Sequence, residues 1–248
     1  SDGFTLGDSG DINASGQTLL AWGWKKSATS GIDIVDYDGT GSATTFAHSL
    51  SAVPHMIITK VYERDGENWA VYHHRNTSSP ETDYLELNDT AATADDSTYW
   101  NDEAPTSSVF SVGTVDETNA SAQDIVAYVF TSIQGFSKFG TFEGNADADG
   151  TFIYTGFRPA FVMLKNIDTA EDWMTYDNKR LGYNQVNNYV AANTTVAEGS
   201  GDNEIDLLSN GFKLRTSNTG SNRADTHIYM AFAEAPFANS NGVPCNAR

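Results

Sequence analysis

Phe110-Ser111-Val112-Gly113, Asn119-Ala120-Ser121 and Ala127-Tyr128-Val129-Phe130 make up one stretch whose spacing occurs three times in the chain. Upstream it reads Phe4-Thr5-Leu6-Gly7, Asn13-Ala14-Ser15 and Ala21-Trp22-Gly23-Trp24, at a constant offset of 106 (110 − 4). Downstream it returns as Phe212-Lys213-Leu214 and Ile228-Tyr229-Met230-Ala231-Phe232, 102 further on (212 − 110). The alternation in Asp124–Phe130, small or polar residues between β-branched and aromatic ones, is the period of a strand, not of a helix. A strand that recurs at this interval marks tandem units.

Further matches fix the units. Tyr37-Asp38-Gly39 answers Phe142-Glu143-Gly144, Pro54 to Lys60 answers Pro159 to Lys165, Trp69 to Tyr72 answers Trp173 to Tyr176, and Asn88 answers Asn193. The offset is 105 (159 − 54) or 104 (173 − 69) throughout. The expected organisation is therefore repeat one at 28–135, repeat two at 136–237 and a tail at 238–248. Residues 1–27 are expected to be the final strands of a preceding, truncated repeat, or strands that complete the sheet of repeat one. Gly-, Asn-, Asp- and Ser-rich turns separate short strands every 8 to 15 residues or so, as in a sandwich or jelly roll. The expected fold class is all-β, as tandem jelly-roll-like sandwiches of about 105 residues, with Val186–Ala192 as one short helical turn. Recurring aromatics such as Trp69, Trp173, Phe110 and Phe212 are expected in the core.

The 248 residues carry 14 Lys plus Arg against 33 Asp plus Glu, a net charge of −19. Such an excess repels nucleic acid and anionic membrane, so neither is an expected partner. No apolar run approaches the ~20 residues that span a bilayer. The single cysteine, Cys245, rules out a disulfide within the chain, leaving stability to packing. Nucleophile elbows, phosphate loops and zinc-protease motifs are missing, which points away from an enzyme. His73 and His74 would face opposite sides of a strand, a poor arrangement for one metal ion.

Two constellations remain as candidate sites. Asn145-Ala146-Asp147-Ala148-Asp149-Gly150 has the alternating oxygens and turn glycine of a calcium loop, with Asn145, Asp147 and Asp149 as ligands. The acid required at position 12 is replaced by Gly156, so an EF-hand is excluded and a weak Ca²⁺ loop competes with a plain Asx turn. Aromatics that fail to recur form the second set. Tyr99 and Trp100 follow Asp95-Asp96, and Tyr183 and Tyr189 lie among Asn184, Gln185, Asn187 and Asn188. Exposed rings beside amides and carboxylates would suit a sugar, so these four are the expected glycan contacts.

Asn119-Ala120-Ser121 with Val126 to Phe130, Gly135 to Gly140, Tyr154 to Ala160, Leu208 to Thr216 and Tyr229 to Phe237 resemble a C-terminal domain of tailed bacteriophages, marine ones especially. In that family the domain closes long virion proteins, often after a concanavalin- or laminin-G-like sandwich, and its ending is similar to Gly242–Arg248. The resemblance implies a virion structural protein: a tail fibre or other exposed appendage, outside the cell and beside other virion proteins; the loop aromatics and amides then make host-surface glycan the expected ligand. It also implies a homo-oligomer, a trimer by preference, and carries no catalytic residue. A ligand-free capsid decoration protein and a polysaccharide depolymerase are the rival expectations.

Overall fold

The computed structural model describes residues 3–181 and 183–235. Among these the regular secondary structure is almost entirely antiparallel sheet. In the first unit the strands are β1 (Ile32–Asp38), β2 (Thr44–Ala47), β3 (Met56–Val61), β4 (Ala70–His73), β5 (Asp83–Glu86), β6 (Ala94–Asp95), β7 (Val109–Val112) and β8 (Asp124–Phe130). In the second they are β9 (Ser137–Glu143), β10 (Phe152–Tyr154), β11 (Pro159–Asn166), β12 (Met174–Asp177), β13 (Val186–Ala191), β14 (Gly199–Leu208), β15 (Gly211–Leu214) and β16 (Thr226–Ala233). Four single-turn helices, α1 (Gly10–Asn13), α2 (Ser97–Trp100), α3 (Asp116–Asn119) and α4 (Thr219–Asn222), sit in the connections. The all-β fold read from the sequence is the observed one. The expected helical turn at 186–192 is instead the strand β13 (Val186–Ala191), paired on both sides, whose Val186 is buried while Asn187 and Asn188 are half-buried. The tail at 238–248, with Cys245, lies outside the described residues.

The two units share a central topology. Strand order β1-β8-β3-β4 in the first is matched by β9-β16-β11-β12 in the second. The registers match as well: Phe130 stands opposite Met56 and Ile32, and Phe232 opposite Phe161 and Ser137. The first unit continues as a six-stranded sheet, covered on its outer face by the β2–β7 pair and by α2 and α3. The second is one eight-stranded sheet with β9 and β10 at its two edges. It curls around one core, bringing Phe142 of β9 within 6.3 Å of Phe212 of β15 while its two edge strands stay unpaired with each other. A near-barrel thus replaces a second flat sandwich.

Strands β3 and β11 are apolar on both faces, and the packing explains why. Ile57 and Val61 point into the core of the first unit, and Val162 and Leu164 into that of the second. Met56 and Ile58 point the other way, as do Phe161 and Met163, and these residues meet in a third, central core with Phe130, Trp173, Met230 and Phe232. The units therefore press equivalent faces together, much as the subunits of an isologous dimer do. At roughly 1.5–3 kcal/mol for each large apolar side chain buried, this shared layer ties the two units into one body. Lys165 adds a polar tie. Its buried ammonium donates at 2.9 Å to Thr90 O of the first unit and to Asn166 O and Glu171 O of its own, and burial lowers its pKa to about 8.

One polar device recurs three times. A single-turn helix ends in Asn119 or Asn222, and the amide Nδ2 reaches back six residues to Gly113 O or Thr216 O, each at 2.7 Å. The same amide clamps the loop after the first strand of its unit, through Ser42 O at 2.8 Å or Asp147 O at 2.8 Å. There the chains approach so closely that a Cβ on Gly39 or Gly144 would lie about 2 Å from the carbonyl of Ala120 or Arg223, which leaves glycine as the residue that fits. Asn13, at the end of α1, makes the first of these bonds, to Gly7 O at 2.6 Å.

Candidate functional site

The curled sheet leaves a seam between its edge strands. A groove of about 840 Å³ runs along it, walled by β9 and β10 and closed at one end by His55, His74 and Arg75 of the first unit. Phe152 and Tyr154 alternate with buried Ile153 on β10, so both rings turn outward, 43% and 59% exposed. Lys138 of β9 crosses the groove, donating to Tyr154 O at 2.9 Å with its ammonium 5.3 Å from the tyrosine ring centre. Among the described residues that line the groove there are two fixed cations, Lys138 and Arg75, and no Asp or Glu. On a chain of net charge −19 this is a local reversal of sign. The arrangement offers stacking faces, amide and hydroxyl partners and positive charge, which together suit a neutral or anionic polar ligand.

The histidine wall is structural. His55 and His74 stack at 4.1 Å between ring centres, brought together because β3 and β4 pair with Met56 opposite His73. Ser132 N donates to His55 Nδ1 at 2.9 Å, which requires that ring to be neutral, and His74 Nε2 donates to Phe139 O at 3.2 Å. Burial pulls all three imidazole pKa values down, with neighbouring charges adding to it: His74 to about 4, His55 below its ordinary value, and His73 well below. The folded protein thus binds fewer protons than the unfolded chain between the ordinary imidazole value of ~6.5 and about 4. This contribution to stability is complete above that range and is lost as pH falls through it. Urea midpoints taken from pH ~7.5 down to ~4.5 should decline steadily, and His74→Gln should make the decline shallower. A flat profile over that interval is the contrary result.

A family model matches residues 1–236 of the chain. The chain belongs to that family, the domain of unknown function DUF7483. No curated protein and no solved structure matches it. The matched range takes in residues 4–24 as well as both sheets.

The DUF7483 fold redistributes the residues that the sequence singled out. Tyr99 and Trp100 are in the core, 4% and 2% exposed. Asp96 caps α2 through Thr98 N, and the helical turn swings both rings inward, where Tyr99 stacks on Tyr84 at 3.6 Å and Trp100 meets Tyr72 at 5.9 Å. Neither presents a face to a sugar. Tyr189 lies half-buried against the second core, over Gly199, where any Cβ would strike its ring. Tyr183 stands 68% exposed.

Asn145, Asp147 and Asp149 are spent on the turn itself. Asn145 Oδ1 accepts from Asp147 N, Asp147 Oδ1 from Asp149 N, and Lys213 pairs with Asp149 at 2.9 Å. This is the Asx-turn alternative, stapled by Asn222. Groups of three or more His, Cys, Asp or Glu placed to hold a metal are not found among the described residues. Nor is any helix there long and apolar enough to cross a membrane.

Sequence reading missed Phe152 and Tyr154, although a signal existed. Phe152 pairs with Lys213 and Thr45 with Ser111, and Lys213 lies 102 beyond Ser111, so the two aromatics stand where unit one has Thr45 and Ala47. They too fail to recur.

Proposed function

We propose that this chain is a non-enzymatic display module of a phage virion appendage that recognises an anionic host-surface glycan in the β9–β10 groove. The observation that carries the reading is the groove's composition: two outward aromatics and two cations, with no carboxylate among its described lining residues, on an otherwise acidic protein. Sugar rings would stack on Phe152 and Tyr154, while Lys138 and Arg75 would meet carboxylate, sulfate or phosphate substituents. Extracellular display on the virion and neighbours among other virion proteins follow from the resemblance of the Tyr154–Ala160 and Leu208–Thr216 motifs. Glycosidic hydrolysis needs a pair of carboxyl groups about the bond, so the lining favours binding over depolymerisation.

The test is titration of host envelope polysaccharides against the protein and against Tyr154→Ala and Lys138→Gln. Each variant should weaken binding about tenfold or more, a loss of ~1.4 kcal/mol, at an unchanged melting temperature. Rising salt should weaken binding by the unaltered protein more than by Lys138→Gln. Equal binding by all three proteins, or none by the unaltered one, would overturn the reading. Release of reducing ends would move it to the enzyme.

A further inference from the structure

The first copy of the repeat, residues 4–24, keeps the helical turn of the other two but is not packed like them. Its helical turn α1 and the Asn13–Gly7 bond reproduce those of α3 and α4. Yet positions that are sealed in both complete units are open here. Phe110 and Phe212 are 1% and 0% exposed, whereas Phe4 is 73% exposed. Leu6, Leu19, Trp22 and Trp24 are likewise open, and residues 17–26 join no strand ladder among the described residues. Among the described residues Asn13 makes only half of the recurring staple, since no counterpart of the Ser42 or Asp147 loop reaches its amide there.

The end of the same segment is nonetheless docked. Trp24 occupies the repeat position of Phe130 and Phe232, and the three rings form a triangle. Its sides are 6.5 Å (Trp24–Phe130), 5.6 Å (Trp24–Phe232) and 6.3 Å (Phe130–Phe232). Beside them an apolar cleft of about 400 Å³ remains open between the two sheets, with Trp22, Trp24, Tyr128 and Met163 on its walls. Three copies of one aromatic position meet at the central core, but only two bring a sheet with them.

We propose that residues 4–24 are the last two strands of a third sandwich of this same repeat, which docks through them onto the shared core and fills the cleft. The partner is a repeat unit that lacks its own two final strands and accepts these by strand addition. A second copy of the chain does not fit, because β7–β8 and β15–β16 already fill those places in both of its units. The continuity of Trp24 with the existing core sets where the third unit sits, and the free half of the Asn13 staple sets what its first loop must meet.

The spacing of the repeat defines the experiment. A copy of residues 28–107 is joined directly ahead of Asp2, so that Asp2 follows it as Ser108 follows 107 in unit one. A second version uses residues 133–209 in the same way. In at least one extended protein, iodide quenching of Trp22 and Trp24 should fall by about half or more, and their amides should gain exchange protection. Asn13→Ala should leave the melting temperature of the 248-residue protein unchanged and lower that of the extended one. If both versions leave residues 4–24 as open as before, or Asn13→Ala is silent in a protected extended chain, the proposal fails. It fails also if the 248-residue protein sediments as a stable dimer with residues 4–24 protected, which would assign the face to a second copy.

Discussion

Trp173→Ala is expected to cost about 3–5 kcal/mol of folding stability, the range for deleting a large buried aromatic. Trp173 is 1% exposed in the core shared by the two units, and its indole Nε1 donates to Glu86 O of the other unit at 2.9 Å. The substitution opens a cavity at the contact between the units and also leaves a buried carbonyl without its donor. Trp173→Phe keeps much of the volume and loses only the bond, so it should cost about 1–2 kcal/mol. Trp69 holds the same repeat position, and its backbone N–H is fixed by Asn88 just as that of Trp173 is by Asn193. Its ring, however, is only partly buried against Tyr128. Trp69→Ala should therefore be the milder change. Urea denaturation of the three variants checks the order, and equal losses at 69 and 173 would contradict the asymmetric packing of the shared layer.

Asn222→Ala should be nearly as damaging, at about 3 kcal/mol, although it removes few atoms. The side chain is fully buried, its Nδ2 lies 2.7–2.9 Å from Thr216 O, Asp147 O and Asn145 Oδ1, and its Oδ1 accepts from Asn145 N at 3.0 Å. Truncation strands several buried polar groups at once, each costing about 1–3 kcal/mol if water does not reach it. Asn222→Asp should be worse than its size implies, because a carboxylate would face carbonyl oxygens in place of an amide donor. Asn119→Ala should match Asn222→Ala, since Asn119 serves the Gly113, Ser42 and Thr40 positions in the same way. Chemical denaturation monitored by circular dichroism separates these cases. A loss below about 1 kcal/mol at either asparagine would mean that the loops hold without their clamp.

The scaffold was legible where the sequence repeats. Constant offsets identified Phe110 and Phe212, Trp69 and Trp173, and the strands around them, because a residue that packs one way in two units is held to one size and polarity. What the repeat could not reveal was whether equivalent faces look outward or toward each other. Met56 and Ile58 with Phe161 and Met163 read as ordinary strand residues, and only their meeting in a common core makes β3 and β11 apolar on both faces. The candidate site was less legible for a different reason. Aromatics that fail to recur were sought in loops, which selected Tyr99 and Trp100. A four-residue helix turned those rings inward, a change of direction that leaves little periodic trace. Phe152 and Tyr154 met the same criterion on a three-residue strand, but their exposure depends on the sheet curling and leaving its edges apart. That is a long-range property, absent from any window of sequence.

The layer in which two copies of one surface face each other also constrains how the chain can change over generations. A larger side chain at Met56 is felt by the opposite sheet, and the same enlargement repeated at Phe161 would be felt twice. Differences between the copies on this face are thus forced into compensation, bulk on one side matched by slack on the other, while the outward faces drift separately. The seam with Phe152, Tyr154 and Lys138 lies outside that shared layer, where a change of side chain is not answered from the sister sheet.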